Sequence, residues 1–437
     1  MKSKTYRSRA RSGLELYVES SHDLPIVDFE IAFRTGSVTD PVGLEGLTRT
    51  MWRVLRMGTE GMGSTEIEER IARLGARFSI QIATGYVRAQ GVVIRRNLDA
   101  FVGIIAELLS APAFRAEDLR RAQDESIAEL VGMQDDDRTL AARAFRKALF
   151  GNHVYARPVT GSAPTLKRIT PKHLAAHYRT HVSASDMVVA FAGDIRPKEA
   201  ERLVADYFGA FSARKVRLPK ILDAKPRAGR HIILVDKPNR TQAQVLVGGL
   251  GVRIGNPDHM RLLAGNTAFG GTFTSVLTQE VREKRGWSYG ASSHLGADRA
   301  RDSWYMSTAP ALADTANCIA LELELVDELH KNGVSKEAFL RGRDYLVNSH
   351  CFDVDTASKR LEPHVDEAIY GLPFGYYDKQ YARIGKFTHA EVNRALQKHL
   401  PQKDLVIALV GTAKHLRKGL DRIPGIRSVS VVPHTKV

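Results

Sequence analysis

The sequence predicts an α+β fold made of two homologous domains, each a mainly antiparallel sheet with helices packed on one face. Three observations predict it. Short runs alternate apolar and polar residues in the manner of half-buried strands. Longer segments between them place apolar residues at helical spacing. The whole series then repeats once, with a period of roughly 215 residues.

The first half opens on strands. Leu14 to Val18 is followed by Pro25 and then by Val27 to Phe33, whose apolar residues alternate with Asp28 and Glu30. A helix is predicted from about Gly43 to Arg56, with Leu44, Leu47, Met51, Val54 and Leu55 on its apolar side. A second starts at Ser64 and runs through Ile67 and Ile71 to Gly75. Strands are predicted from Phe78 to Arg95, and helices from Leu98 to Leu109 and from Ala116 to Met133. Met187 to Gly193 reads as a buried strand.

Around Ala213 to Arg230 the pattern gives way to a Lys/Arg/Pro-rich stretch. The predicted organisation is a first domain over 1–213, a linker over 214–230 and a second domain over 231–437. Ile232 to Pro238 mirrors the first strand, and Gln242 to Leu250 the second. The helix Ser275 to Arg285, stopped by Gly286, mirrors the one stopped by Gly75. The helix starting near Ser335 mirrors that starting near Ala116, and Leu405 to Gly411 mirrors Met187 to Gly193. A single long repeat is a duplicated domain and excludes a short-period solenoid.

Composition narrows the class. At 43% hydrophobic and 26% charged residues, the chain can build ordinary globular cores and is neither collagenous nor disordered. Two cysteines, Cys318 and Cys351, are too few for a disulfide framework or a Cys-rich zinc module, and are expected as reduced thiols. No apolar run reaches the length of a membrane span. Met1 to Arg11 is basic and polar, so the sequence as it stands predicts a cytoplasmic location; removal of a leader would instead fit the bacterial periplasm. The net charge of +15 is spread among acids, without a dense Lys/Arg tract interleaved with aromatics. That argues for a solvated basic surface and against nucleic acid as a partner. The same charge would steer an acidic partner or peptide.

Three stretches together resemble the pitrilysin/insulinase zinc metallopeptidases, including the mitochondrial processing peptidase type. They are Phe33 to Ser37 with Gly43 to Met51, Tyr155 to Pro158 leading to Gly161, and Ala268 to Gly271 leading to Val281 through Tyr289. The resemblance spans nearly the whole chain and agrees with the independent repeat. It implies the processing-peptidase-like metallohydrolase fold. It also implies a chain that pairs with a second such chain, forming a clamshell around a peptide.

In those enzymes a helical His-x-x-Glu-His motif holds zinc, its Glu activating the bound water, and a Glu on a later helix is the third ligand. Here the motif falls on Gly46, Leu47, Thr48, Arg49 and Thr50. Gly46 offers no ligand and Thr50 a poor one. Arg49 stays protonated, so it cannot act as a base and puts a cation where the metal should stand. Glu129 matches the third ligand and is free to pair with Arg49; the family's acid seven residues earlier is Ala122. No metal is expected on this chain. His173, His177 and His181 lie at helical spacing without an intervening base, and His364-Val-Asp-Glu367 lacks its second His, which is Ala368. Both read as structural.

Arg282 and Tyr289 match an Arg and a Tyr that these peptidases carry opposite the zinc. A turn at Gly286 would bring them to one site. A tyrosine hydroxyl can donate to a carbonyl oxygen as charge develops on it, and a guanidinium can hold the peptide. Gly270 and Gly271 match a loop that contacts substrate in relatives. The resemblance thus implies the non-catalytic, substrate-binding subunit of a heterodimeric zinc metalloendopeptidase, inactive alone. The zinc is expected on a homologous partner with an intact motif. The alternative is a scaffold or peptide-binding subunit of a non-proteolytic assembly.

Overall fold

The structure, a computed structural model, describes residues 5–437; residues 1–4 of the expected first domain lie outside the described residues. Twelve strands form two six-stranded sheets. They are β1 Tyr6–Arg9, β2 Glu15–Ser20, β3 Ile26–Phe33, β4 Arg77–Ile82, β5 Val87–Ile94, β6 Met187–Gly193, β7 Arg230–Asp236, β8 Gln244–Leu250, β9 Ala291–Leu295, β10 Ser303–Thr308, β11 Leu405–Gly411 and β12 Ile426–Pro433. The first sheet runs β1-β2-β6-β3-β5-β4 and the second β12-β7-β11-β8-β10-β9. Apart from the outermost β1 and β12, the second order is the first with each strand replaced by its counterpart five positions on. In both, the β2–β6 or β7–β11 pairing is parallel and the next three pairings are antiparallel. The duplication is therefore a property of the fold, and the class is α+β.

Side-chain alternation decides the layers. Val27, Phe29, Ile31 and Phe33 of β3 face a core built with the helices Leu47–Met57, Leu98–Ser110 and Pro197–Phe208. Phe29 packs against Phe191 at 4.9 Å and against Phe101 at 6.2 Å, near an edge-to-face arrangement. Each such side chain taken fully out of water contributes roughly 1.5–3 kcal/mol. In the second sheet Val245 and Val247 do the same beneath the helices Thr315–Asn332 and His389–His399.

The central strands β6 and β11 are apolar on both faces because each sheet has a second cover. Val188, Ala190 and Ala192 pack against Leu361 and Val365 of the helix Ala357–Tyr370. Val406, Ala408 and Val410 pack against Leu140, Ala144 and Phe145 of the helix Asp137–Phe150. These two covers come from the opposite halves of the sequence. One compact unit comprises residues 1–130, 158–220 and 351–378; the other comprises 131–157, 221–350 and 379–437. A sequence split near residue 220 therefore exchanges one helix in each direction. Short Ala and Val side chains on the covered face let the helices approach. The principal helical layer still lies on one face of each sheet.

Residues 210–229 carry neither helix nor strand, as the Lys/Arg/Pro-rich composition predicts. The first motif helix starts at Leu47 and not near Gly43, because Gly46 sits at φ 94, a left-handed value that ends helical geometry on its N-terminal side. The expected helix Ser275 to Arg285 is one α-helical turn, Val276–Thr278, continued by a π-helical stretch, Gln279–Glu283. Neither cysteine forms a disulfide; Cys318 is buried and Cys351 exposed.

Candidate functional site

The motif positions on the helix Leu47–Met57 hold an ion-pair network. Arg49 donates from Nη2 to Glu129 at 2.7 Å, and Arg53 donates to the other Glu129 oxygen at 2.8 Å. Arg53 also reaches Ser126 Oγ at 3.0 Å and Glu125 at 3.1 Å. Partial burial works against the Glu129 carboxylate, but the hydrogen bonds from Arg53 and Arg49 outweigh it and hold its pKa below the usual range. Both carboxylate oxygens are thus occupied by guanidinium groups where a metal would have to stand. Thr50 is buried, and a Cβ on Gly46 would lie 3.1 Å from the Gly161 Cα. The family's zinc does not fit these residues. Among the described residues no group of three or more His, Cys, Asp or Glu could hold a metal ion.

The same helix start contains a network the sequence did not reveal. The buried Asp40 carboxylate accepts from the N–H groups of Gly46 and Thr48 at 2.9 and 2.8 Å, and from the Thr48 hydroxyl. It caps the helix, where a negative charge meets the positive end of the dipole. Thr48 Oγ1 lies 2.9 Å from His177 Nε2. Burial pushes Asp40 up to about 6 and His177 down to about 3. The His181 ring lies against that of His177, centroids 4.5 Å apart and tilted by 58°, and His173 completes a capping box with Thr170. All three helical histidines thus have structural partners. His364 likewise bonds Glu367 at 2.9 Å, whose carboxylate takes the N–H groups of Gly375 and Tyr377 at 2.8 Å each.

In the second unit, Arg282 and Tyr289 come together. The N–H of Gly286 donates to the Arg282 carbonyl at 2.9 Å and that of Trp287 to Val281 at 3.1 Å. Gly286 takes φ +65, which the reversal requires. The returning segment is pinned by Ser288, whose hydroxyl donates to the Gly290 carbonyl at 2.6 Å and accepts from the N–H of Ala309 at 2.9 Å. Tyr289 therefore stands in the bend before β9, not within the strand, and is 90% exposed. The Arg282 guanidinium lies 5.0 Å from its ring centroid and 4.1 Å from that of Phe273. Each ring contributes roughly 0.5–1 kcal/mol of cation–π attraction at such exposed positions. Held between two rings, the guanidinium makes no side-chain hydrogen bond among the described residues.

These residues line a cleft of about 730 Å³ beside β8, β9 and β10. Gly270 and Gly271 also line it, as the end of a π-helical turn, Thr267–Gly271, in place of the expected loop. Gly270 is there for packing: a Cβ would fall 2.5 Å from the Ser293 hydroxyl. Gly271 is exposed at the rim. Sequence reasoning missed Phe273, although it follows Gly271 by two residues. It also missed Arg138, which reaches this cleft on the exchanged helix Asp137–Phe150.

Comparison with known proteins agrees with the duplicated fold. A model of the insulinase family (peptidase family M16) matches residues 17–162, and one described as the peptidase M16 inactive domain matches residues 168–346. The chain belongs to peptidase family M16. Among its M16 relatives, an uncharacterized zinc protease of Streptomyces coelicolor is 25% identical, covering 93% of this chain and 90% of its own. A non-peptidase homolog of Helicobacter pylori, YmxG, is 20% identical over 94% of both. The crystal structure of a peptidase M16 inactive domain from Pseudomonas fluorescens shares the fold, with a TM-score of 0.87, 24% identity and coverage of 93% of this chain and 98% of that one. With its degenerate motif, this chain is an M16 member without a zinc site. Among the described residues no helix is long and apolar enough to cross a membrane.

Proposed function

We propose that this chain is the non-catalytic, substrate-binding subunit of a heterodimeric zinc metalloendopeptidase. The observation that carries the reading is the pairing of Arg282 with an exposed Tyr289 in an open cleft, set against a motif helix whose Glu129 is bound by Arg49 and Arg53. The partner is a homologous chain with an intact His-x-x-Glu-His motif, and it carries the zinc. Peptide hydrolysis there builds negative charge on the scissile carbonyl oxygen. The Tyr289 hydroxyl donates a hydrogen bond to that oxygen, and Arg282 fixes the tyrosine ring and grips the peptide backbone. Gly271 leaves the rim of the cleft open to substrate.

The test is co-purification with the zinc-bearing partner, followed by peptide cleavage with each chain alone and together. This chain alone cleaves nothing. In the pair, Tyr289→Phe assembles normally and loses roughly 10²–10³ in kcat, the worth of one well-placed donor. Full activity of that variant defeats the role of Tyr289, and chelator-sensitive cleavage by this chain alone defeats the whole reading.

The name of the Helicobacter pylori relative, a non-peptidase homolog, favours a second reading. In it the chain is a scaffold or peptide-binding subunit of an assembly that cleaves nothing. A co-purifying partner whose own motif is degraded decides for it.

A further inference from the structure

The cleft that holds Arg282 and Tyr289 carries a charge pattern that the proposed role does not require. Its lining includes two guanidinium groups, Arg282 and Arg138, and not one carboxylate. Arg138 is exposed and its side chain makes no hydrogen bond among the described residues, although its charge acts on the neighbouring Asp136, whose carboxylate accepts from the Arg138 N–H. Arg282 has one acid near it, Glu283, whose oxygen stands 3.6 Å from Nε, beyond hydrogen-bonding distance and outside the lining. Partial burial pushes the pKa of His294 down, and its ring is stacked 4.9 Å from Tyr305 with Nε2 3.1 Å from Ser292 Oγ. The remaining polar wall includes Gln242, Gln244, Ser292, Ser307 and Thr272, which can donate to carbonyls but neutralise nothing.

The corresponding cleft of the first unit shows that this pattern belongs to the site and not to the fold. It occupies the equivalent place, beside β3, β4 and β5 and under the helix Ala357–Tyr370. Its wall carries Asp28, Glu30 and Glu362 beside Arg77, with the buried Arg88 behind it 3.4 Å from Glu30 and 3.7 Å from Glu362. The outward-facing strand residues of the two linings differ, Asp28 and Glu30 of β3 against Gln244 and Leu246 of β8, while Arg138 and Arg282 come from helical segments.

A guanidinium held between two rings keeps its edge free, and its planar fork matches a carboxylate with two parallel hydrogen bonds. Two such groups, with no carboxylate in the lining itself and only Glu283 and Asp136 acting on them from outside it, make a receptor for anions spaced along an extended chain. From this geometry we infer that the Arg282/Arg138 cleft selects acidic peptide segments, with Glu or Asp side chains flanking the bound residue. The inference rests on the proposed substrate-binding role and names the substrate class for it. A nucleic acid is the weaker match, because two cations in one confined cleft do not track a phosphate backbone, and both exposed rings already hold Arg282.

The test uses the full chain alone, with two fluorescein-labelled decapeptides that differ only in having Glu or Gln at alternate positions, read by fluorescence anisotropy. The Glu peptide should bind about tenfold tighter at low salt, the effect of one charge-assisted hydrogen bond. The preference should collapse in high salt. Arg138→Gln, at an exposed position, should remove most of it, and Arg282→Gln the remainder. Equal affinity for the two peptides overturns the inference, as does a Glu preference that survives both substitutions. Displacement of the Glu peptide by an oligothymidylate at lower concentration than by unlabelled Glu peptide also overturns it. Cleavage assays with the partner keep the two readings apart. Equal peptide affinities together with a Tyr289-dependent activity remove the acidic preference and leave the subunit role. A clear Glu preference with no partner-dependent cleavage does the reverse.

Discussion

In the first unit the cleft beside β3, β4 and β5 is walled by Asp28, Glu30 and Glu362; in the second, the cleft beside β8, β9 and β10 is walled by Arg138, Arg282 and Tyr289. The sheets around them share their order and the sense of their common pairings. A strand shows alternate residues to opposite faces, so one set is bound to the core while the other is free to change. Duplication kept the first set apolar, as in Val27, Phe29 and Ile31 against Val245 and Val247. The second set carries Asp28 and Glu30 on β3 in one copy and the uncharged Gln244 and Leu246 on β8 in the other, where the cations Arg138 and Arg282 are added from helical segments beside the sheet.

The motif helix marks the same divergence. Gly46, at the first His position, has φ +94 and faces the Gly161 backbone. Restoring the motif with Gly46→His, Arg49→Glu and Thr50→His should therefore cost several kcal/mol, on the order of 3 or more from backbone strain and overpacking together. The variant should melt far below the parent and hold no stoichiometric zinc. A stable variant with one bound zinc would mean that side-chain loss alone separates the halves, not backbone geometry.

Each unit also buries a glutamate, and the two should respond oppositely to neutralisation. Glu322 in the second unit is fully buried, accepts from Thr308 at 3.0 Å and leaves its other oxygen without a partner; burial pushes it up to about 8. An unfolded chain loses this proton near the usual glutamate pKa, while the folded chain keeps it to about 8. Stability therefore falls as pH rises between those values. Glu322→Gln should flatten that slope and gain ~3 kcal/mol at pH 7, as a pKa difference of this size implies. Denaturant titration at pH 5, 7 and 8.5 checks it; an unchanged slope sinks the assignment. Glu367 in the first unit is bonded by His364, Gly375 and Tyr377. There Glu367→Gln should lose about 1–3 kcal/mol, because an amide cannot accept all three bonds. A gain in both variants would erase the contrast.

The smallest effect is expected at Arg49. Its pair with Glu129 is partly exposed, at 26% and 38%, and Arg53 remains to hold the carboxylate. Arg49→Gln should change stability by less than about 1 kcal/mol. A larger loss would show that the network is the structural substitute for a metal and not a surface pair.

Much of this was legible before any coordinates. The alternation in β3 and β8, the turn at Gly286 and the chemistry of Gly46, Arg49 and Thr50 are all local facts of the chain. The turn at Gly286 together with the family resemblance pointed to Arg282 and Tyr289 at one site. Phe273 was not legible, because a single aromatic beside two glycines carries no period. The second partner of Glu129, Arg53, was hidden because it lies one helical turn beyond the motif.

By itself, the sequence determined the duplicated α+β plan, the residues that face each core and the loss of the zinc ligands, because periodicity and side-chain chemistry are set within a few residues. Tertiary structure alone decided which helix covers which sheet, and so placed Arg138 in the cleft of Arg282. That shared cleft joins residues 144 positions apart through packing of Ala and Val faces, and surfaces as permissive as those leave no mark in the local pattern.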